Sequence, residues 1–324
     1  MANLLRGLEV RHLTVLQAIA ESGSFWAAAD RLDLSPSAVS QQVATLEGVA
    51  GERLVERARG RRHVELTEAG RLLLRHADAI LARVRAAESD FAAFRNGTKG
   101  TLHVGTYQSI GARVLPRLLP KFASDWPDVE VRLVEGLADA QLLKLVETGD
   151  LDLSFTTFPT PPGPFESLRL LEDPYVLTVA RKAPFGRSRR AVSLRELHEL
   201  RLLGIATCRA EVSERFRTLG LDPAIRFPSV DNAVVQGLVA AGVGVAITPM
   251  LTIDSSDERI VILPITDMPP RTLGLVWHSD RYHSTAFQAF KKSAVELCAQ
   301  LERELDAVSA LAVIRPRRRD SGRR

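Results

Sequence analysis

Cysteine is nearly absent: the 324 residues hold two, Cys208 and Cys298. Two thiols cannot build a disulfide framework or a multi-cysteine metal site, so they read as free thiols in a reducing compartment. The sequon Asn96-Gly97-Thr98 carries no meaning there. No stretch approaches the roughly 20 apolar residues that would span a bilayer, and no membrane partner is expected. The opening MANLLRGLEVRHL lacks a basic start followed by an apolar run, which argues against export and for the cytoplasm. Enzyme signatures are missing as well: no phosphate loop, no G-x-S-x-G, no H-E-x-x-H and no C-x-x-C. Gly242-Val243-Gly244 has no third glycine, and the seven histidines keep no ligand spacing. The expectation is a non-enzyme with no cofactor and no metal.

What is present is the balance of a globular chain, 45% hydrophobic and 25% charged, long enough for two or three compact units. The sequence pI near 9.3 hints at nucleic acid. Its source weakens the hint. Arg315, Arg317, Arg318, Arg319, Arg323 and Arg324 against Asp320 give the last ten residues a charge of +5, so residues 1–314 sum to −1 in a chain of +4. Only local placement of charge can argue for DNA.

Residues 8–50 break into short apolar-periodic segments. Leu8 to Ala20 repeats at helical spacing, and Ser22-Gly23-Ser24 interrupts it. Ser24 is an N-cap for a second helix to about Leu32. Ser35-Pro36 opens a third, a capping serine followed by proline at the first helical position. Two helices, a tight turn and a third helix predict a helix-turn-helix. In RLVERARGRRHVEL two short segments flank Ala58-Arg59-Gly60-Arg61, the pattern of a hairpin wing. Thr67-Glu68-Ala69-Gly70 then opens a long helix ending at Asn96-Gly97-Thr98. Its residues Leu73, Ala77, Ile80, Val84, Ala87, Phe91 and Phe94 alternate spacings of four and three, a coiled-coil seam for dimerisation. A core helix of the same domain is the competing reading.

From Gly100 strands alternate with helices. LHVGTY, VEVRLVEG and LDLSFTT read as strands, with helices near 111–124 and 138–148. YVLTVAR, RLLGIAT, AIRFPSV and GVAITPM form a second set, with helices near 212–219 and 231–241. LGLVWH and a helix from about Ser284 to Leu305 close the fold. Alternation predicts parallel sheets. Pro159-Thr160-Pro161-Pro162-Gly163-Pro164 reads as a hinge between the sets.

The run SGSFWAAADRLDLSPSAVSQQVATLEGVAGERLVER, followed by LTEAG, is similar to the N-terminal signature of LysR-type transcription regulators. LPRLLPKFASDWPDVEV, GDLDLSF and VAAGVGVAITP resemble that family's effector domain, so the resemblance spans nearly the whole chain. It implies an α+β multidomain protein with a winged helix-turn-helix, a long linker helix and a two-subdomain α/β effector domain of periplasmic-binding-protein type. The expected boundaries are 1–66 for the DNA-binding domain, 67–97 for the linker and 98–305 for the effector domain. Subdomain I takes 101–160 and 268–300, subdomain II takes 161–267, and 306–324 is a basic, disordered tail. Trp26, Ala27, Pro36 and Val55 depart from the family's usual residues, which bears on DNA sequence preference rather than on the fold.

On a helical wheel Val39, Val43, Leu46 and Ala50 fall together as the core face of the third helix. Ser37, Gln41 and Ala44 lie opposite, with Ser40 and Thr45 flanking. Small hydroxyl and amide groups suit a close approach to base edges in the major groove, and Gln41 is the candidate for a bidentate adenine contact. Ser35 and Pro36 open this helix beside the same surface, and Gln42 sits nearer the core and touches phosphate. Arg53, Arg57, Arg59, Arg61 and Arg62 on the wing can pair phosphates or enter a narrow minor groove. Trp26 reads as packing or as a ring facing the DNA backbone. The partner is double-stranded DNA at a pseudo-palindromic site, read by a homodimer that the resemblance extends to a tetramer, with RNA polymerase as the machinery regulated.

In the second half, ligands of such folds bind at the carboxyl ends of strands. Those ends carry Thr106, Tyr107, Gln108 and Ser109, then Thr156 and Thr157, then Thr207, Cys208 and Arg209, and later Thr248. Hydroxyls, an amide and an arginine suit a small-molecule effector such as an organic anion. By resemblance Tyr107, Ser109, Thr157 and Thr207 match effector-contacting positions; capping helices or ending strands is the other reading of each. Arg209 could instead pair Glu211 or Glu214, and Asp231 reads as a helix N-cap. Two rival functions remain open: a solute-binding protein, and a regulator answering to Cys208 oxidation.

Overall fold

The computed structural model describes residues 6–57, 63–96, 100–136, 138–188, 190–223 and 225–313. It divides into two compact units, Met1–Phe91 with Thr148–Asp150, and Ala92–Glu147 with Leu151–Arg324.

The first unit is built from α1 (Val10–Ser22), α2 (Phe25–Arg31), α3 (Pro36–Ala50), β1 (Val55–Arg57), β2 (Val64–Leu66) and the start of α4 (Glu68–Asn96). Its caps are the ones the sequence announces. Ser24 Oγ accepts from Trp26 N and Ala27 N, Ser35 Oγ accepts from Ala38 N with Pro36 at the first helical position, and Thr67 Oγ1 accepts from Gly70 N. Gly23 closes α1 with φ of 65°, a left-handed conformation that glycine adopts without strain. Gly70 answers a different need: a Cβ there would strike the Leu54 carbonyl, so α4 can lie against the start of the wing. Leu16, Ile19, Ala28, Val39, Val43 and Leu46 form one buried core with Leu54 and Val55. β1 pairs antiparallel with β2, register Val55 to Leu66.

The second unit holds β3 (Gly100–Thr106), α5 (Gln108–Arg113), α6 (Leu115–Asp125), β4 (Val129–Glu135), α7 (Asp139–Thr148), β5 (Leu153–Thr157), β6 (Phe165–Asp173), β7 (Tyr175–Ala180), α8 (Pro184–Ser188), α9 (Leu194–Leu197), β8 (Leu202–Ile205), α10 (Arg209–Thr218), β9 (Ile225–Ser229), α11 (Asn232–Ala240), β10 (Val245–Pro249), β11 (Ile260–Pro264), β12 (Arg271–His278) and α12 (Thr285–Val313). Two five-stranded sheets result, in the orders β4-β3-β5-β12-β6 and β11-β7-β10-β8-β9. Each has its own core, one around Phe122, Phe155, Trp277 and Phe290, the other around Leu177, Val192, Phe216 and Val239.

Three expectations are corrected. The sheets are mixed: β12 runs antiparallel to β5 and β6, and β7 antiparallel to β10 and β11. The crossing between the halves is not at 160/161. β6 pairs with β12 in the first sheet, so the chain crosses at Asp173–Tyr175 and returns between Ile265 and Arg271, and the Pro159–Pro164 stretch joins strands of one sheet. Finally, α12 continues to Val313, so 306–313 is helical and not tail; the basic residues from 314 lie outside the described residues.

Candidate nucleic-acid interface and inter-sheet cavity

In the first unit α3 sorts its faces as its periodicity requires. Val39, Val43 and Leu46 are buried, Ala50 is half-buried, and Ser37, Gln41, Ala44 and Thr45 are exposed along one side. Ser35 is exposed at the cap and its Oγ lies 2.9 Å from Ser37 Oγ, while Pro36 and Ser40 are half-buried. Thr45 Oγ1 donates to the Gln41 carbonyl at 3.0 Å. Gln42 is half-buried and its Oε1 is enclosed without a hydrogen-bond partner among the described residues. Arg53 is exposed at the wing. The Arg57 side chain and Arg59, Arg61 and Arg62 lie outside the described residues.

One organising residue was not foreseen. Glu47, on the last turns of α3, accepts from Leu54 N at 2.8 Å and Val55 N at 3.2 Å through Oε1. This carboxylate fixes the start of the wing against the exposed helix. The pattern E-x₆-L-V gives no local signal, because the bond closes over a turn rather than within the helix.

The seam on α4 divides. Ala77 is buried with Leu13 and Leu81, Leu73 packs on the core of the first unit, and Val84 is half-buried. Here the core-helix reading describes the contacts. Ile80, Ala87, Phe91 and Phe94 are exposed, the two rings at 69% and 70%. Phe94 meets Tyr282 edge-on at 6.1 Å.

In the second unit a cavity of about 710 Å³ opens between the two sheets. Its polar wall comprises Tyr107, Asp139, Thr157, Tyr175, Cys208, Glu211, Glu214, Arg215, Thr218 and Arg271. Of the sequence-predicted residues it therefore brings together Tyr107, Thr157 and Cys208. Asp139 accepts from Thr157 Oγ1 and, at 3.0 Å, from Thr157 N. Burial pushes the Tyr107 hydroxyl above its ordinary range, opposed by Arg271, and its oxygen has no hydrogen-bond partner among the described residues. Burial likewise pushes the Cys208 thiol up to about 12, and Sγ donates to the Ile205 carbonyl.

The remaining predicted residues do not line the cavity. Thr106 and Thr156 are buried strand residues whose hydroxyls turn to neighbouring carbonyls, and Thr248 is buried with its hydroxyl unpartnered among the described residues. Gln108 instead reaches the other subdomain, accepting from Asn232 N at 3.1 Å and donating to Asp231 at 3.5 Å. Asp231 caps α11, as read. Arg209 is exposed away from the cavity; Glu214 pairs with Arg217 instead. The Thr207 side chain lies outside the described residues.

The residue that sequence reasoning missed is Arg271. Its Nε and Nη2 donate to Asp173 Oδ2 at 2.9 and 2.7 Å, and Nη2 also to Ser109 Oγ at 2.9 Å. Asp173 Oδ1 accepts from Leu251 N at 3.0 Å. Asp173 ends β6 and Arg271 begins β12, so a buried ion pair sits where both crossings leave and re-enter the first sheet. Among the described residues no group of His, Cys, Asp and Glu could hold a metal ion, and no helix is long and apolar enough to cross a membrane.

Comparison with known proteins matches residues 10–71 to the model of the bacterial regulatory helix-turn-helix protein, lysR family, and residues 95–299 to the LysR substrate binding domain. The chain is 31% identical to the HTH-type transcriptional regulator CfxR of Cupriavidus necator over 282 residues, 86% of this chain and 87% of the relative. It is 28% identical to the DNA-binding transcriptional dual regulator OxyR of Escherichia coli over 312 residues, 94% of this chain and all of that one. In fold it is similar to full-length CbnR complexed with its target DNA (TM-score 0.63, 24% identity, 90% of this chain, all of that one). A full-length OxyR variant from Pseudomonas aeruginosa shares the fold at TM-score 0.64 and 22% identity, covering 89% and 97%.

Proposed function

The chain belongs to the LysR family of bacterial regulators, as a DNA-binding transcription regulator with an effector-binding domain, and from that premise we propose how its parts divide the work. The exposed side of α3, with Gln41 at its centre and Ser37 and Thr45 beside it, reads base edges in the major groove. Ser35, Pro36 and Ser40 bring the helix close, and Gln42 and the wing arginines 53, 57, 59, 61 and 62 hold phosphates. The fold likeness to a regulator solved on its target DNA supports this reading. Exposed Ile80, Ala87, Phe91 and Phe94 supply the self-association that a pseudo-palindromic site requires, as a dimer or a pair of dimers. RNA polymerase is the machinery the bound regulator then acts upon.

A small molecule occupies the inter-sheet cavity and shifts the population of subdomain arrangements, changing DNA bend or half-site spacing. The observation carrying this is the cavity itself: its volume lies in the range of ligand sites, and its wall holds an unpartnered tyrosine hydroxyl within apolar surroundings. The charges on that wall do not single out an organic anion. Arg215 and Arg271 stand beside Asp139, Glu211 and Glu214, and Arg271 is already committed to Asp173. The experiment is footprinting of the operator, repeated with metabolites grouped by charge. A compound that shifts the footprint for the parent chain but not for Tyr107→Phe supports the cavity; equal response by both removes it.

The thiol-sensing reading finds little footing. Relatives named as hydrogen peroxide-inducible genes activators are similar in sequence, but Cys208 is buried and held protonated, and Cys298 sits in the other core. A peroxide-reactive cysteine works as an accessible thiolate. The solute-binding reading gives way to the DNA-binding domain.

A further inference from the structure

Trp26 is the most exposed large hydrophobic side chain among the described residues, at 76%, and packing does not explain it. It is the second residue of α2, fixed there by Ser24, whose Oγ accepts from the Trp26 amide at 3.2 Å. The indole nitrogen donates to nothing among the described residues. Its neighbour Phe25 packs on the core, so the helix already has its anchor and Trp26 is surplus to folding.

Its location is specific. Gly23, three residues earlier, accepts from Val64 N at 2.8 Å, so the β2 strand of the wing is bonded to the segment that leads into α2. The His63 ring lies against Gly23 as well, where any Cβ would collide with it. From the other end of α2, Leu32, Asp33 (φ 52°) and Leu34 turn directly into the cap of α3. Trp26 therefore stands between the two elements that engage DNA, on the first helix of the motif. In a helix-turn-helix that first helix crosses the sugar–phosphate backbone while the second enters the groove.

We propose that Trp26 is a DNA-backbone contact: its ring covers deoxyribose and its N–H donates to a phosphate oxygen at the edge of the groove that α3 enters. An indole contributes here differently from lysine or arginine. It gains from covered apolar area and a neutral hydrogen bond, and releases no counterion. The contact thus contributes affinity that salt does not remove and that is independent of base sequence.

The test uses the full chain and the best duplex recovered by selection from a random library. The chain has three tryptophans; Trp277 is buried in the core of the first sheet and Trp126 is half-buried against it, so the most accessible part of acrylamide quenching reports on Trp26. That most accessible part should be lost on addition of duplex, and a Trp26→Phe variant should identify it. Trp26→Ala should weaken binding about tenfold at every salt concentration, leaving the slope of log affinity against log salt unchanged. Arg53→Ala, the comparison, should flatten that slope by about one. Quenching unchanged by duplex that is demonstrably bound would overturn the proposal, as would protection of Trp26 only by a second protein. Equal affinity of Trp26→Ala and the parent would overturn it too.

Discussion

Asp173 and Arg271 make the sharpest energetic prediction, because the pair is buried on both sides, with side chains 0% and 15% exposed. Asp173→Asn keeps the shape and the bond from Leu251, but leaves a guanidinium that cannot shed its proton facing an amide. Removing one partner of such a pair costs about 3–5 kcal/mol. Arg271→Met is different. The carboxyl it strands is already pushed up by burial, against which Arg271 is the main opposing charge. Without Arg271 it takes a proton, and the cost falls to about 2 kcal/mol in mild acid. The sign with pH follows. A carboxyl whose folded pKa lies above its unfolded one binds more protons folded, so that stability is complete below the unfolded value and is lost as pH rises through the folded value. The Arg271→Met penalty should therefore be smallest in acid and grow as pH rises above the ordinary carboxylate range, by at most about 1.4 kcal/mol per unit. The double variant should cost less than the sum. Urea unfolding followed by tryptophan emission reads this, since Trp277 is buried in the same sheet's core and Trp126 packs against it. Penalties under about 1 kcal/mol for both single variants, or strict additivity, would refute the reasoning.

Two more outcomes follow from single residues. Glu47→Ala strands Leu54 N and Val55 N at the wing and should cost about 2 kcal/mol in stability of the first unit; it should also blur operator protection on the wing side in a footprint, and an unchanged footprint and melting profile would remove Glu47 from that role. Cys208, protonated and buried, should stay unreactive toward a thiol reagent or peroxide at neutral pH until the chain unfolds. Rapid stoichiometric reaction in the folded protein would contradict the assignment.

The sequence made the DNA-reading unit legible because its signals are local. Ser24, Ser35-Pro36 and Thr67 each cap a helix within three residues, and the face of α3 follows from a repeat of 3.6. The effector unit was legible only where strands were apolar runs. β6, FESLRLLED, puts Glu166, Arg169 and Glu172 among its leucines, and without an apolar run it went unread. That loss misplaced the crossing and hid the ion pair, for Asp173 ends the missed strand and its partner lies 98 residues away. Arg209 misled in the opposite sense: beside the Thr207-Cys208 strand end it looked inward, yet it begins a helix with its side chain in solvent. The coiled-coil period on α4 was real as a pattern but shared between two jobs, Leu73 and Ala77 packing at home and only the later residues remaining exposed.

The most direct measurement is competition binding of the purified chain to its selected duplex and to random DNA at moderate salt, repeated for Gln41→Ala. The account predicts strong preference for the selected duplex, and for Gln41→Ala a loss of about 1–3 kcal/mol of discrimination at one base pair per half-site with phosphate-driven binding intact. An unchanged sequence preference in Gln41→Ala would contradict it.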